Sequence, residues 1–244
     1  MIGYFGWVAI GLLAATAAAR WQRNPTGLDA DRRSRLLLAA AGGSILGAYL
    51  LQLPADLFGF SAPPPPGASG DALPLGGRTV LGGLLGGWLA VEFVKRALGI
   101  RQPTGDGFAL PLAIALGCGR LGCIAAGCCA GERCEAAWWA TIGAEGETRV
   151  PVQAIEALFH GLATLVLACL VRRPRRRPGT LLAGYLTALA LLRLGLEAWR
   201  EHPPVLLGLT WYQFLAIALL LVAGSTWWHR LQTPRESAPS GIRQ

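Results

Sequence analysis

Seven apolar stretches divide this chain, at about 4–19, 35–53, 79–97, 108–127, 152–171, 180–199 and 208–228. Each is near the roughly 20 residues that a helix needs to cross the hydrocarbon of a bilayer. With 53% of its 244 residues hydrophobic and 15% charged, the chain is too apolar for a soluble domain. The expected architecture is an all-α integral membrane protein. Residues 1–244 then form a single domain of seven transmembrane helices.

The links between the stretches alternate in charge. Arg20, Arg23, Arg32, Arg33 and Arg35 flank the first, and Lys95, Arg96 and Arg101 mark the third. The fifth holds Arg172, Arg173, Arg175, Arg176 and Arg177, and the tail holds Arg230, Arg235 and Arg243. The second link has only Asp56, Asp71 and Arg78 around the run Pro63 to Pro66, and the fourth sets four glutamates against Arg133 and Arg149. The positive-inside rule then puts the N-terminus outside and the C-terminus in the cytoplasm. A net charge of +8 carried in short links sets topology and touches anionic headgroups, so no nucleic-acid partner is expected. Ala15 to Ala18 resemble a signal cleavage site, but basic residues follow the first stretch rather than precede it, so it is expected to stay as a helix.

This direction places the intramembrane charges at one depth. Arg120 falls in the outer half of the fourth stretch, Gln153 and Glu156 begin the fifth, and Arg193, Glu197 and Arg200 end the sixth. Arg193, Glu197 and Arg200 are spaced to share one helical face, as are Gln153, Glu156 and His160. Ionised groups at that depth must face one another or a wet cavity, as a working site or as an ion-pair network joining helices. Glu92 is expected nearer the cytoplasmic end. His160 is expected to bond a neighbouring helix, and His202 and His229 to be solvated.

Cysteines surround the first of these arginines. Cys118, Cys123, Cys128, Cys129 and Cys134 lie at or just past the outer end of the fourth stretch, with Gly117, Gly119, Gly122 and Gly127 among them. One or two disulfides are a natural expectation on an oxidising side, though neighbours such as Cys128 and Cys129 rarely bridge each other. The spacing fits no redox or zinc-ribbon motif, so no metal is assigned, and Cys169 reads as a core residue.

At these residues the chain resembles the phosphatidylglycerol–prolipoprotein diacylglyceryl transferase family. Gly119-Arg120-Leu121-Gly122 resembles its G-R-x-G-N signature, and Pro151-Val152-Gln153-Ala154-Ile155-Glu156 its H-P-x-Q-x-Y-E element. Tyr185 with Arg193, Glu197 and Arg200 resembles its arginine helix. Gly82-Gly83-Leu84-Leu85-Gly86 resembles its H-G-G-x-x-G turn. The family's histidine before that double glycine falls on Leu81, and the asparagine after G-R-x-G on Cys123.

The resemblance implies a transferase of a bacterial inner (plasma) membrane. It moves a diacylglyceryl group from a phosphatidylglycerol-like phospholipid to the lipobox cysteine of an exported preprotein, with no cofactor. It gives Arg120, Arg193, Glu156, Glu197 and Cys123 catalytic roles, with both carboxylates orienting guanidiniums. Gly82, Gly83, Gly119, Gly122, Gln153, Tyr185 and Arg200 would bind substrate. Cys118, Cys128, Cys129 and Cys134 make up a thiol cluster. The rival reading is a thiol-based redox or metal-handling protein on the same scaffold.

Overall fold

Helix ends in this chain follow the capping groups and glycines that interrupt the apolar runs. The computed structural model describes residues 3–22, 27–61, 78–143, 146–173 and 177–232; the run Pro63 to Pro66, Asp71, Glu145 and the tail arginines 235 and 243 lie outside them. Seven helices of 17–22 residues are described: α1 (Tyr4–Trp21), α2 (Ala30–Leu50), α4 (Val80–Ala97), α5 (Asp106–Ala125), α6 (Val152–Val171), α7 (Thr180–Leu196) and α8 (Trp211–Gln232). A five-residue helix, α3 (Leu53–Leu57), follows α2.

Several ends differ from the apolar stretches for local reasons. The Asp29 carboxylate accepts from the Arg32 N–H at 2.7 Å and Asp31 pairs with Arg35, so α2 begins five residues before its apolar run. Leu207 (φ 54°) and Gly208 (φ 73°) turn a hairpin of β3 (Pro204–Leu206) and β4 (Leu209–Thr210), which delays α8 to Trp211. A second hairpin pairs β1 (Thr141–Ile142) with β2 (Thr148–Arg149). These hairpins correct the all-α expectation: the fold is mostly helical with two small two-stranded ribbons.

Five segments are long and apolar enough to cross a membrane: Ala30–Leu57, Asp106–Ala125, Val152–Val171, Thr180–Trp199 and Trp211–Gln232. The other two long helices have 18 residues each, and α4 carries Glu92, Lys95 and Arg96. Large apolar side chains such as Leu38, Ile45, Leu89, Phe93, Leu158 and Leu165 stand exposed along the helices, as a lipid-facing surface requires.

Neighbouring helices alternate in direction. The densest contacts join α2 to α4, α1 to α5, α5 to α6 and α7 to α8. Between α2 and α4 the backbones touch: a β-carbon added at Gly47 would collide with the Gly82 carbonyl, and one at Gly86 with that of Gly43. Small residues four apart on both helices permit that approach. The stretch Gly82 to Gly86 is therefore a helix–helix seam within α4, where the apolar run 79–97 predicts a helix, and the turn of the family motif that it resembles is not formed. Leu81 is buried in the central core with Leu84, Leu186, Leu189, Leu215 and Leu219.

At the end of the bundle opposite the hairpins, Asp106 joins two helices. Its carboxylate accepts from the Gly179 N–H at 2.7 Å and the Leu181 N–H at 2.8 Å, capping α7. Its role was not foreseen from the sequence. Glu92 also lies toward this end, apart from the charged residues at the hairpin end, and pairs with Lys95 at 2.7 Å.

Candidate functional site

Three helix ends and one loop bring the intramembrane charges together at the hairpin end. Arg120 comes from the last turns of α5, Glu156 from the first turns of α6, Arg193 from the last turn of α7, and Arg200 from just beyond it. Glu156, 1% exposed, is the hub. Arg120 Nε lies 2.6 Å from Glu156 Oε2, Arg193 donates to Glu156 Oε1, and Arg200 Nη2 lies 3.5 Å from Oε2. Three guanidiniums therefore face one carboxylate.

Glu197 does not complete this group. The α-helix stops at Leu196 and continues as a 3-10 turn, Glu197–Trp199, which breaks the helical spacing expected to keep Arg193, Glu197 and Arg200 on one face. Glu197 Oε1 instead meets His202 Nδ1 at 2.6 Å and accepts from Thr210 Oγ1 at 2.9 Å. The expectation that it orients guanidiniums is corrected: it binds the β3–β4 hairpin. His202 is likewise not solvated, since its ring packs on Tyr212 at 4.3 Å. Tyr212 exchanges hydrogen bonds with Gln52, at 2.9 Å from Gln52 Nε2 and 3.2 Å from Oε1. The signal for His202 was its place five residues after Glu197, between the arginine helix and two prolines.

Buried polar atoms without a protein partner surround the guanidiniums. Gln153 is fully buried, and neither end of its amide has a hydrogen-bond partner among protein groups. Nε and Nη2 of Arg200 lack one as well. Such orphans are rare in native structures and mark a place where something else binds. A β-carbon at Gly119 would meet nothing within 4 Å, whereas one at Gly122 would press on Tyr4 and Trp7 of α1 at 3.1–3.3 Å. Of the expected substrate-binding glycines, Gly119 thus faces open space; Gly82, Gly83 and Gly122 face neighbouring helices. Tyr185 hydrogen-bonds His160 Nδ1 at 2.8 Å inside the bundle, which gives His160 the interhelical role expected of it.

Burial and the neighbouring Arg193 charge pull the Arg200 guanidinium down to about 10. A cation so destabilised calls for an anion. Arg200 is held in place through the segment between α5 and α6. Glu132 N–H donates to the Trp199 carbonyl at 2.8 Å, and Arg149 bridges Glu147, Glu201 and the Gly131 carbonyl.

The thiols sort into two sets. All six cysteines are free, so the expected bridges are absent. Gly127 (φ 64°) ends α5 and the Cys128 N–H returns to the Cys123 carbonyl at 3.0 Å. Cys129 follows at φ 61°, a conformation that side chains other than glycine's seldom take. The turn gathers the sulfurs of Cys123, Cys128 and Cys129 within 4.8 Å of one another. Cys118 faces Gly11 of α1, and Cys134 donates its N–H to the Thr148 carbonyl and accepts from the Thr148 hydroxyl, so neither joins them; Cys169, expected in the core, is exposed on α6.

Arg120 Nη1 reaches the Cys123 sulfur at 4.0 Å, linking thiols to arginines. Hydrogen bonds from the Cys123 and Cys128 thiols, then the Arg120 and Arg200 charges, hold the Cys129 thiol far below its usual range.

Comparison with known proteins gives this arrangement a context. Residues 2–229 match the family model described as prolipoprotein diacylglyceryl transferase. Two proteins named phosphatidylglycerol–prolipoprotein diacylglyceryl transferase, from two strains of Dehalococcoides mccartyi, are each 26% identical over 94% of this chain and 89% of their own length. A protein of the same name from Rhodopirellula baltica is 31% identical over 55% of this chain and 28% of its own.

Proposed function

The chain belongs to the prolipoprotein diacylglyceryl transferase family, and from that membership we propose that it moves the diacylglyceryl group of a phosphatidylglycerol-like lipid to a cysteine thiol of an exported preprotein. It is a membrane-embedded transferase. One observation carries the assignment of its site. Three guanidiniums meet a single carboxylate, with the Gln153 amide beside them and Arg200 Nε without a hydrogen-bond partner.

The chemistry needs that surplus. The acceptor sulfur attacks the glyceryl methylene carbon, a sulfur–carbon bond forms, and the carbon–oxygen bond to phosphate breaks. Its electron pair leaves on the phosphate oxygen, so the phosphodiester's single charge becomes the two charges of glycerol phosphate. Arg120, Arg193 and Arg200 are placed to meet that growth, since planar guanidiniums bind phosphate oxygens in pairs. Glu156 holds them together against their repulsion. Gln153 supplies a neutral donor, and open space at Gly119 lets the headgroup approach.

All seven long helices cross the bilayer in this reading, and residues 1–244 act as one domain. Arg32, Arg33, Lys95, Arg96, Arg172, Arg173 and Arg230 occur at the end away from the hairpins, which supports a cytoplasmic assignment for that end and a bacterial inner membrane. Arg120 then works in the outer leaflet, where an exported preprotein presents its lipobox.

Incubating the purified protein with labelled phosphatidylglycerol and a lipobox peptide tests this reading. The peptide mass should rise by one diacylglyceryl group on its cysteine. A peptide that stays unmodified while an authentic family enzyme labels it in parallel would refute the assignment.

A further inference from the structure

We propose that Cys123, Cys128 and Cys129 form a zinc site whose open fourth position takes the acceptor thiol; this rests on the transferase reading above. Three sulfurs already lie within 4.8 Å of one another. Tetrahedral zinc with bonds of about 2.3 Å sets thiolates about 3.8 Å apart, so closure needs shifts of less than about 1 Å. The backbone is bent for this purpose. Among the described residues only Cys129 and Leu207 hold a positive φ without being glycine, and the turn at Cys129 is what folds its sulfur back toward the end of α5. Strain of this kind persists where a site demands it.

The donor set narrows the metal to a soft or borderline ion. Three soft thiolates without imidazole suit zinc, and three protein ligands with a fourth place open is the pattern of a working zinc site rather than a closed structural one. Cys123 is buried, Cys128 half-buried and Cys129 exposed, so the open side is the accessible one. Zinc with three thiolates carries one negative charge, two once a fourth thiolate binds. Arg120, at 4.0 Å from the Cys123 sulfur, balances part of it.

The site also answers a chemical need of this chain. An acceptor thiol must lose its proton to attack. Leu81, buried in the core, occupies the position of the histidine in the H-G-G-x-x-G element, while His160 is engaged by Tyr185 and His202 by Glu197. On zinc, the acceptor gives its proton to water and keeps its sulfur lone pair. That pair forms the bond to the glyceryl methylene as the carbon–oxygen pair departs with the phosphate. The neutral thioether is a weak ligand and leaves, and the metal stays Zn(II) throughout. The zinc-bound acceptor would then serve the bond that forms at that carbon, and the arginines the bond that breaks.

Protein in lipid nanodiscs with a non-chelating reductant provides the test. Metal analysis should find one zinc per chain in wild type and in Cys169→Ser, and at least about tenfold weaker binding in Cys129→Ser, a substitution at an exposed side chain outside the core. With Co(II) in place of zinc, thiolate-to-metal absorption should appear, and a cysteine lipobox peptide should change the ligand-field bands while its serine analogue does not. Chelation should slow transfer about 10²-fold, with zinc restoring it. Zinc binding undiminished in Cys129→Ser, uptake of Cu(I) but not zinc, or a cobalt spectrum indifferent to the peptide would overturn the site. Unchanged transfer after verified zinc removal would overturn it and leave the transferase reading standing. Intact zinc and peptide ligation with no transfer in any metal state would instead sink the transferase reading.

Discussion

The two halves of this bundle solve opposite problems. At the hairpin end, Arg120, Arg193 and Arg200 crowd around Glu156, and the site lacks enough negative charge. In the other half, a cavity of about 440 Å³ lies among α1, α2, α4, α5, α7 and α8, lined by groups such as Leu12, Ala40, Leu84, Phe108, Leu112 and Leu186. Polar groups are sparse there, Glu92, Ser44 and Arg230 among them. One half crowds cations around a carboxylate, the other encloses an apolar cavity. Under the proposed reading the phospholipid headgroup takes the first and its acyl chains gain affinity in the second, with charge stabilisation kept for the reacting end.

Substitutions that break the contrast should differ in kind. Glu156→Gln should have the largest effect, because three buried cations would lose their counter-charge. About 3–5 kcal/mol of stability should go, read by unfolding of detergent-solubilised protein. Arg120→Ala and Arg193→Ala should instead lower turnover by about 10²-fold or more, measured by peptide labelling. Lysine at either position should rescue poorly, since a point charge lacks the guanidinium fork.

The thiols extend the comparison to the field of the arginines. In metal-free protein the lowered Cys129 thiol stays ionised as pH falls, because its ionised form persists above the depressed value. Alkylation of Cys129, scored against Cys129→Ser, should change little between pH 8 and pH 6. An ordinary thiol would slow roughly 75-fold over that range. A slowing of that size would show that the neighbouring thiols and the Arg120 and Arg200 charges do not hold the sulfur ionised.

The smallest effect belongs to the cavity. Leu112→Trp should raise KM for the lipid about tenfold with kcat nearly unchanged. The space lost corresponds to roughly two methylenes at about 0.8 kcal/mol each. A fall in kcat instead would mean that the cavity and the charged site are not separable.

The sequence made some of this legible and hid the rest for physical reasons. Apolar runs of membrane length marked all seven long helices, because hydrophobic length is a strong local signal. The meeting of Arg120, Glu156 and Arg193 was legible too, since ionised groups at one depth have few places to go. Glu197 was misplaced because helical spacing was extended past Leu196, where a 3-10 turn rotates it toward His202. The packing role of Gly82 and Gly86 stayed hidden, as glycine serves both turns and close helix approach and only the facing Gly43 and Gly47 decide. Asp106 capping α7 and the trio of Cys123, Cys128 and Cys129 depend on contacts that spacing alone does not reveal.

The central claim is that the surplus cations at the hairpin end exist to hold a lipid phosphate. Native mass spectrometry of wild type and Arg200→Ala, each offered phosphatidylglycerol and an uncharged diacylglycerol, tests it most directly. Wild type should retain one phosphatidylglycerol in preference to diacylglycerol, and Arg200→Ala should lose that preference while remaining folded. Equal retention of both lipids by wild type, or an undiminished preference in Arg200→Ala, would contradict the account.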